Sequence, residues 1–234
     1  MVGLSSVLAT TLSYAVGWAI GVPVLLPILN TLASFPFMVL ALKRGDLRLA
    51  VARMLLWALT MGVAATLLSY ARPAQSGALF LRGDAYRAEM FGWVMTGQGA
   101  ESRPSEFIPQ QAGHAVLFSG LALATGGAAA MPMGAVLMNY MGHYVGTLAG
   151  SSRRPALTML VAWHPWAVIR VISFVVIGVV LSTPLLSRLG KFRVDRGAAR
   201  TLLLAACAGL VADIVLKTLL APTWQRILLR IVGW

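Results

Sequence analysis

Apolar residues run along this chain in long stretches rather than in stripes. No charged side chain occurs in residues 1–42, 107–152 or 171–187. A spanning helix needs about 20 apolar residues to cross about 30 Å of hydrocarbon, so these stretches are membrane-length. Backbone amides in lipid must be satisfied within the chain, which leaves helices or a closed barrel. Continuous apolarity without two-residue alternation selects helices. The predicted fold is therefore all-α, a polytopic transmembrane helix bundle of about six spans with broken or kinked helices, forming one integral membrane domain over residues 1–234.

The first stretch, interrupted by Pro23, Pro27 and Pro36, predicts one span over 5–29 and a bent segment carrying Pro36 near the interface. A second span is expected over 50–71. Residues 72–106 mix Gly, Pro and Ser with four basic and four acidic residues and read as the one sizeable extramembrane loop. Within it Tyr86, Met90, Phe91 and Trp93 suggest a short helix at the headgroup level. A helix over 113–150 would be about 57 Å long at 1.5 Å per residue. It must fold back, and Gly126, Gly127 and Pro132 supply the break between spans at 113–130 and 133–149. A fifth span follows over 156–186, broken near its start by Trp163-His164-Pro165-Trp166, and a sixth over 201–221, leaving residues 222–234 as an amphipathic tail.

Composition agrees: 59% of residues are hydrophobic and 11% charged. The net charge of +12 resides in short clusters between apolar runs, which are topology signals and contacts to anionic headgroups, and no nucleic-acid partner is expected. The positive-inside rule places Lys43, Arg44, Arg48 and Arg53 with Arg188, Lys191, Arg193, Arg196 and Arg200 in the cytoplasm and the 72–106 loop outside. Arg153 and Arg154 are left on the outer side. The N-terminus lacks a basic leader and is not expected to be a cleaved signal. The expected location is the cytoplasmic (inner) membrane of a prokaryote, multi-pass.

Ionisable side chains inside spans are costly and are functional candidates by default. Asp213 and Lys217, four residues apart on one helix face, are expected to neutralise each other, with Arg170 as a neighbour; together they form an intramembrane polar cluster. His114, His143 and His164 are the only histidines and fall near predicted span ends. They could serve as ligands for a metal or haem, or as hydrogen-bonded interfacial residues; without helical ligand spacing or an accompanying Glu, no cofactor is predicted. Gly120, and the Gly142 and Gly146 of a GxxxG, mark helix-packing faces, within the hairpin or between copies. Ser119-Gly120 is a serine followed by glycine, but Leu117 stands where a nucleophile motif has its preceding glycine, and no phosphate loop or HExxH occurs.

From Gly113 onward a glycine-rich span leads to an Asn- and Gly-containing segment, Asn139 to Gly142. His164-Pro165-Trp166-Ala167 then opens a span, a basic loop follows, and the last span ends Ala212-Asp213-Ile214-Val215-Leu216-Lys217 before Ala221-Pro222. This order of features resembles the stage II sporulation protein M family. The glutamates usual in that family would fall near Val168 and Lys217, where this chain has none. The resemblance implies a non-enzymatic scaffold or accessory subunit that packs against partner membrane proteins. The expected partners are the bilayer and other membrane proteins of a complex; a homo-oligomer is an open alternative to packing within the hairpin. The alternatives are a small channel or transporter using Arg170, Asp213 and Lys217, or an intramembrane hydrolase at Ser119.

Overall fold

The structure, a computed structural model, describes residues 2–234; among them are eleven α-helices, one 3-10 turn and no strand. Helix α1 (Val2–Ile20) ends at Gly21, whose φ of +69° only glycine adopts without strain, and Pro23 follows at once. Helices α2 (Leu25–Leu32) and α3 (Phe35–Lys43) then form a single rod broken at Ser34. The apolar run 5–42 is thus two membrane-length elements, not one span and an interfacial segment. Pro27 and Pro36 lie in the first turns of α2 and α3, where an amide has no helical partner to lose, so they start helices instead of bending one.

Helix α4 (Leu47–Ala71) is capped by Asp46, whose Oδ1 accepts the Leu49 N–H at 2.8 Å. The segment expected as a loop is itself helical: α5 (Pro73–Leu79), α6 (Gly83–Thr96) and the 3-10 turn Ala100–Ser102 pack onto one end of the bundle. The aromatic helix exists, but Met90 and Trp93 are wholly buried against α8 and α11 instead of resting at a lipid interface. Helices α7 (Pro104–Thr125) and α8 (Ala130–Gly150) form the predicted hairpin, turned by Gly126 and Gly127 at φ +60° and +89°. After α9 (Pro155–Ala162) the chain breaks at Trp163-His164 and enters α10 (Pro165–Gly190).

Helix α11 (Arg196–Val232) runs 37 residues, about 55 Å, and passes through Pro222. The tail is therefore no separate surface helix. Trp224 Nε1 donates to the Val161 carbonyl at 2.9 Å and Gln225 Nε2 to that of Val94 at 2.6 Å, and these bonds hold the last turns against α9 and α6.

By length and composition five helical stretches can cross a membrane: Gly3–Ile20, Leu25–Lys43, Leu47–Ala71, Pro165–Gly190 and Arg196–Val232. Six were expected. The difference arises because the first stretch supplies two, whereas α7 and α8, though long enough, carry too many polar and small residues. Helix α8 is instead the packing centre, and every residue from Met141 to Ala149 is buried. Lateral faces are apolar and open, as at Leu204, Val211 and Leu219 on α11, and the architecture is compatible with an integral membrane protein.

The ends of the bundle can be told apart. A Cβ on Gly45 would lie 3.7 Å from the Arg193 carbonyl oxygen, and one on Gly190 3.7 Å from Lys43 Cε, so the two basic loops meet at one end. The Arg153 N–H donates to the Val232 carbonyl at the other. Between them a buried network joins four helices: Asn30 Nδ2 donates to Ser13 Oγ at 2.7 Å, Asn139 Nδ2 to Asn30 Oδ1 at 3.0 Å, and Trp57 Nε1 to the Asn30 carbonyl at 2.9 Å. Polar side chains at such depth persist because they satisfy one another.

Candidate functional site

Two ion pairs stand side by side near the end of the bundle opposite the basic loops. Arg170, in the second turn of α10, forks onto Asp213 of α11: Nε donates to Oδ2 at 2.8 Å and Nη2 to Oδ1 at 2.9 Å. One turn further along α11, Lys217 donates to Glu101 Oε1 at 2.7 Å and lies 4.3 Å over the Phe107 ring. The predicted pairing of Asp213 with Lys217 is therefore not made. A planar guanidinium fits a carboxylate through two bonds, and the remaining ammonium takes a second acid.

That acid comes from outside the expected spans. Glu101 lies on the 3-10 turn, which Trp93 holds through an indole N–H donated to Ser102 Oγ at 2.8 Å. Flanking glycines Gly97 and Gly99 adopt φ of +71° and +131°, a backbone path that drops the turn into the bundle. The Glu101 side chain, expected in an outward-facing loop, is only 14% exposed. Burial alone would raise its carboxyl, but Lys217, with Arg170 and His164 further off, holds it below the usual carboxylate range.

These groups close one end of a cavity of about 150 Å³ between α4, α7, α8 and α10. The polar end carries Tyr86, Glu89, Glu101, Gln111, Arg170 and Lys217, together with His114, Tyr140 and His164. Toward the other end the wall is Met54, Trp57, Phe118, Met138, Phe174 and Val179. His164 stacks on Trp166 at 4.7 Å, with the edge of Trp93 at 5.4 Å. Its Nε2 has no hydrogen-bond partner in the protein, and neither has the Gln111 side-chain amide. Each orphaned buried polar atom costs about 1–3 kcal/mol, so these atoms are poised for a partner the protein does not supply. An apolar pocket with a few convergent polar groups is the usual form of a small-molecule site.

The other candidates lie elsewhere. His143 is fully buried in α8 and hydrogen-bonded, its Nδ1 3.1 Å from both Ser69 Oγ and Ser76 Oγ, its Nε2 3.2 Å from Asp84 Oδ1. This clamp ties α4, α5 and α6 to α8. It contains the residue types of a hydrolytic triad, with both serines and the imidazole wholly buried and Asp84 exposed. Ser119 of α7 makes no hydrogen bond to any histidine among the described residues. His164 is likewise buried and His114 is part-exposed, and both line the cavity. Among the described residues no three His, Cys, Asp or Glu are grouped to hold a metal ion. Gly142 and Gly146 face α4, where an added Cβ would meet Thr66 N at 3.2 Å and Tyr70 N at 2.8 Å respectively; Gly120 faces open space.

Comparison with protein-family models, curated proteins and solved structures finds no match for this chain. Arg170, Asp213 and Lys217 were legible in the sequence; Glu101, Gln111 and the unpaired nitrogen of His164 were not. Charge arithmetic offered one signal for Glu101: two cations and one anion within apolar spans leave a charge that a further acid must neutralise.

Proposed function

We propose that the chain is a multi-pass membrane protein that takes a small molecule into the pocket beside Arg170, Glu101 and Lys217, as the binding step of a carrier or channel. The single observation that supports this reading is the cavity itself: walled by apolar side chains, closed by two ion pairs, and lined by buried polar atoms without partners. Ion pairs stripped of water are costly and, in lipid, mark ligand or ion pathways more often than simple glue. The scaffold role implied by the sporulation-protein resemblance draws less support, because Gly142 and Gly146, its best packing face, are already occupied by α4.

The test is native mass spectrometry of the full chain released from nanodiscs made with its source membrane. The wild type is expected to eject with a bound non-protein mass that is lost in Gly134→Leu, which directs a side chain into the cavity past Phe118. A wild type that ejects bare in every charge state overturns the proposal.

A further inference from the structure

The buried charges at the polar end of the cavity are spent within the protein. Arg170 is forked onto Asp213, and Lys217 is held by Glu101 and the Phe107 ring. Glu89, which lines the same end and makes no ion pair among the described residues, is an exposed residue and stays in water. What remains both buried and unspent is uncharged: Nε2 of His164, in a residue 1% exposed, and both polar atoms of the Gln111 amide. An anionic group buried there meets the carboxylate of Glu101, and a cationic one meets Arg170 and Lys217; neither finds a free buried counter-charge. A neutral group carrying a donor and an acceptor needs none.

The remainder of the cavity asks for something other than a sugar or an amino acid. Beyond Arg170 and Tyr140 its lining extends along α10 from Val171 to Val179 and along α8 from Met138 back to Met131, about 10–12 Å on each. Over that length the side chains that both helices contribute to the wall are apolar. Met54, Met131, Met138 and Met141 lie on it, and the thioether side chain adapts to a flexible apolar guest. Helix α7 covers this part while presenting Val116 and Leu117 to the surroundings, 74% and 55% exposed, so the cavity is one helix away from the lateral, lipid-facing surface.

Resting on the pocket reading above, we infer that the occupant is an uncharged amphiphile: a hydroxyl- or amide-bearing head held by His164 and Gln111, and a hydrocarbon tail lying along α8 and α10 beneath α7. The head end points away from the basic loops, and the tail toward them.

The experiment uses the full chain in nanodiscs and four photoactivatable probes. Three share one medium-length diazirine alkyl tail and end in a hydroxyl, a carboxylate or an amine; the fourth is a tailless diazirine alcohol. Crosslinked peptides are read by mass spectrometry. The hydroxyl-ended amphiphile is expected to label α8 and α10 about tenfold more than either charged probe, a difference of the size that one buried hydrogen bond produces. Gln111→Leu is expected to cut that labelling about tenfold, and since the Gln111 amide has no partner its loss removes no contact the fold needs. Gly134→Leu, which directs a side chain into the cavity past Phe118, is expected to abolish it, and Gly120→Leu, which faces open space, to leave it unchanged. Equal labelling by a charged probe overturns the neutral head, and labelling by the tailless alcohol alone overturns the tail; in both cases the pocket stands as a small-molecule site. Absence of labelling by every probe overturns the amphiphile, and only if the wild type also ejects bare from native membranes does the pocket reading fall with it.

Discussion

Removing the ammonium from Lys217 while leaving Glu101 in place separates a stabilising contact from a merely neutralising one. The two side chains are 2% and 14% exposed, and the carboxylate's remaining contacts are too few to replace a cation. Breaking such a buried pair from one side costs about 3–5 kcal/mol, whereas replacing both members by neutral groups of similar volume is often close to neutral. Lys217→Met is therefore expected to lose about 3–5 kcal/mol, and Lys217→Met combined with Glu101→Gln to recover at least about 2 kcal/mol of that. The assay is reversible unfolding in mixed micelles, read as a double-mutant cycle. The pH dependence carries a second signature. In the wild type the Glu101 carboxyl is held below its ordinary value of 4.5, so its contribution is present above the unfolded value and is lost as pH falls through the folded one. In Lys217→Met burial dominates and the folded value rises, so stability should increase as pH is lowered from neutrality toward about 4.5, a range over which the wild-type Glu101 contribution is constant. Additivity of the two substitutions within about 0.5 kcal/mol, or parallel pH profiles, would refute the reasoning.

Two further outcomes follow from local geometry. Arg170→Lys keeps the charge but loses one arm of the fork to Asp213, and should cost about 1–2 kcal/mol in the same unfolding assay, while Arg170→Ala strands a carboxylate that is 2% exposed and should cost more than twice as much; equal costs would mean the fork is immaterial. Gly146→Ala drives a methyl into the Thr66 carbonyl and the Tyr70 amide of α4, with an expected loss of at least about 1–3 kcal/mol, whereas Gly120→Ala meets nothing and should be neutral or slightly stabilising; a neutral Gly146→Ala would contradict the close α4–α8 approach.

Helix existence was readable from unbroken apolarity, and the Gly126-Gly127 hairpin from length alone, since a rod twice the membrane thickness has to turn. Helix ends were less legible where proline has two opposite uses. Pro36 was read as a kink and Pro222 as a stop, but one sits in a first turn and the other inside a helix pinned by Trp224 and Gln225 to carbonyls more than sixty positions away. The polar cluster was half visible for a related reason. Ionisable residues inside apolar runs stand out in a sequence, whereas Glu101 lies among balanced charges and is recruited only because Gly97, Gly99 and the Trp93–Ser102 bond steer its turn inward. Asp213 and Lys217 were correctly placed on one helix face, but spacing along a helix cannot reveal partners on α10 and on the 3-10 turn.

The proposed pocket requires that its polar end, where His114 is part-exposed, be reached by water from the face away from the basic loops. The most direct measurement places a thiol at the pocket's polar end, His114→Cys in a Cys207→Ser background, and treats sealed vesicles of each orientation with a membrane-impermeant maleimide, with Lys191→Cys and Arg153→Cys marking the two faces. Position 114 is predicted to react from the Arg153 face and to stay protected from the Lys191 face. Reaction from the Lys191 face, or from neither, contradicts the account.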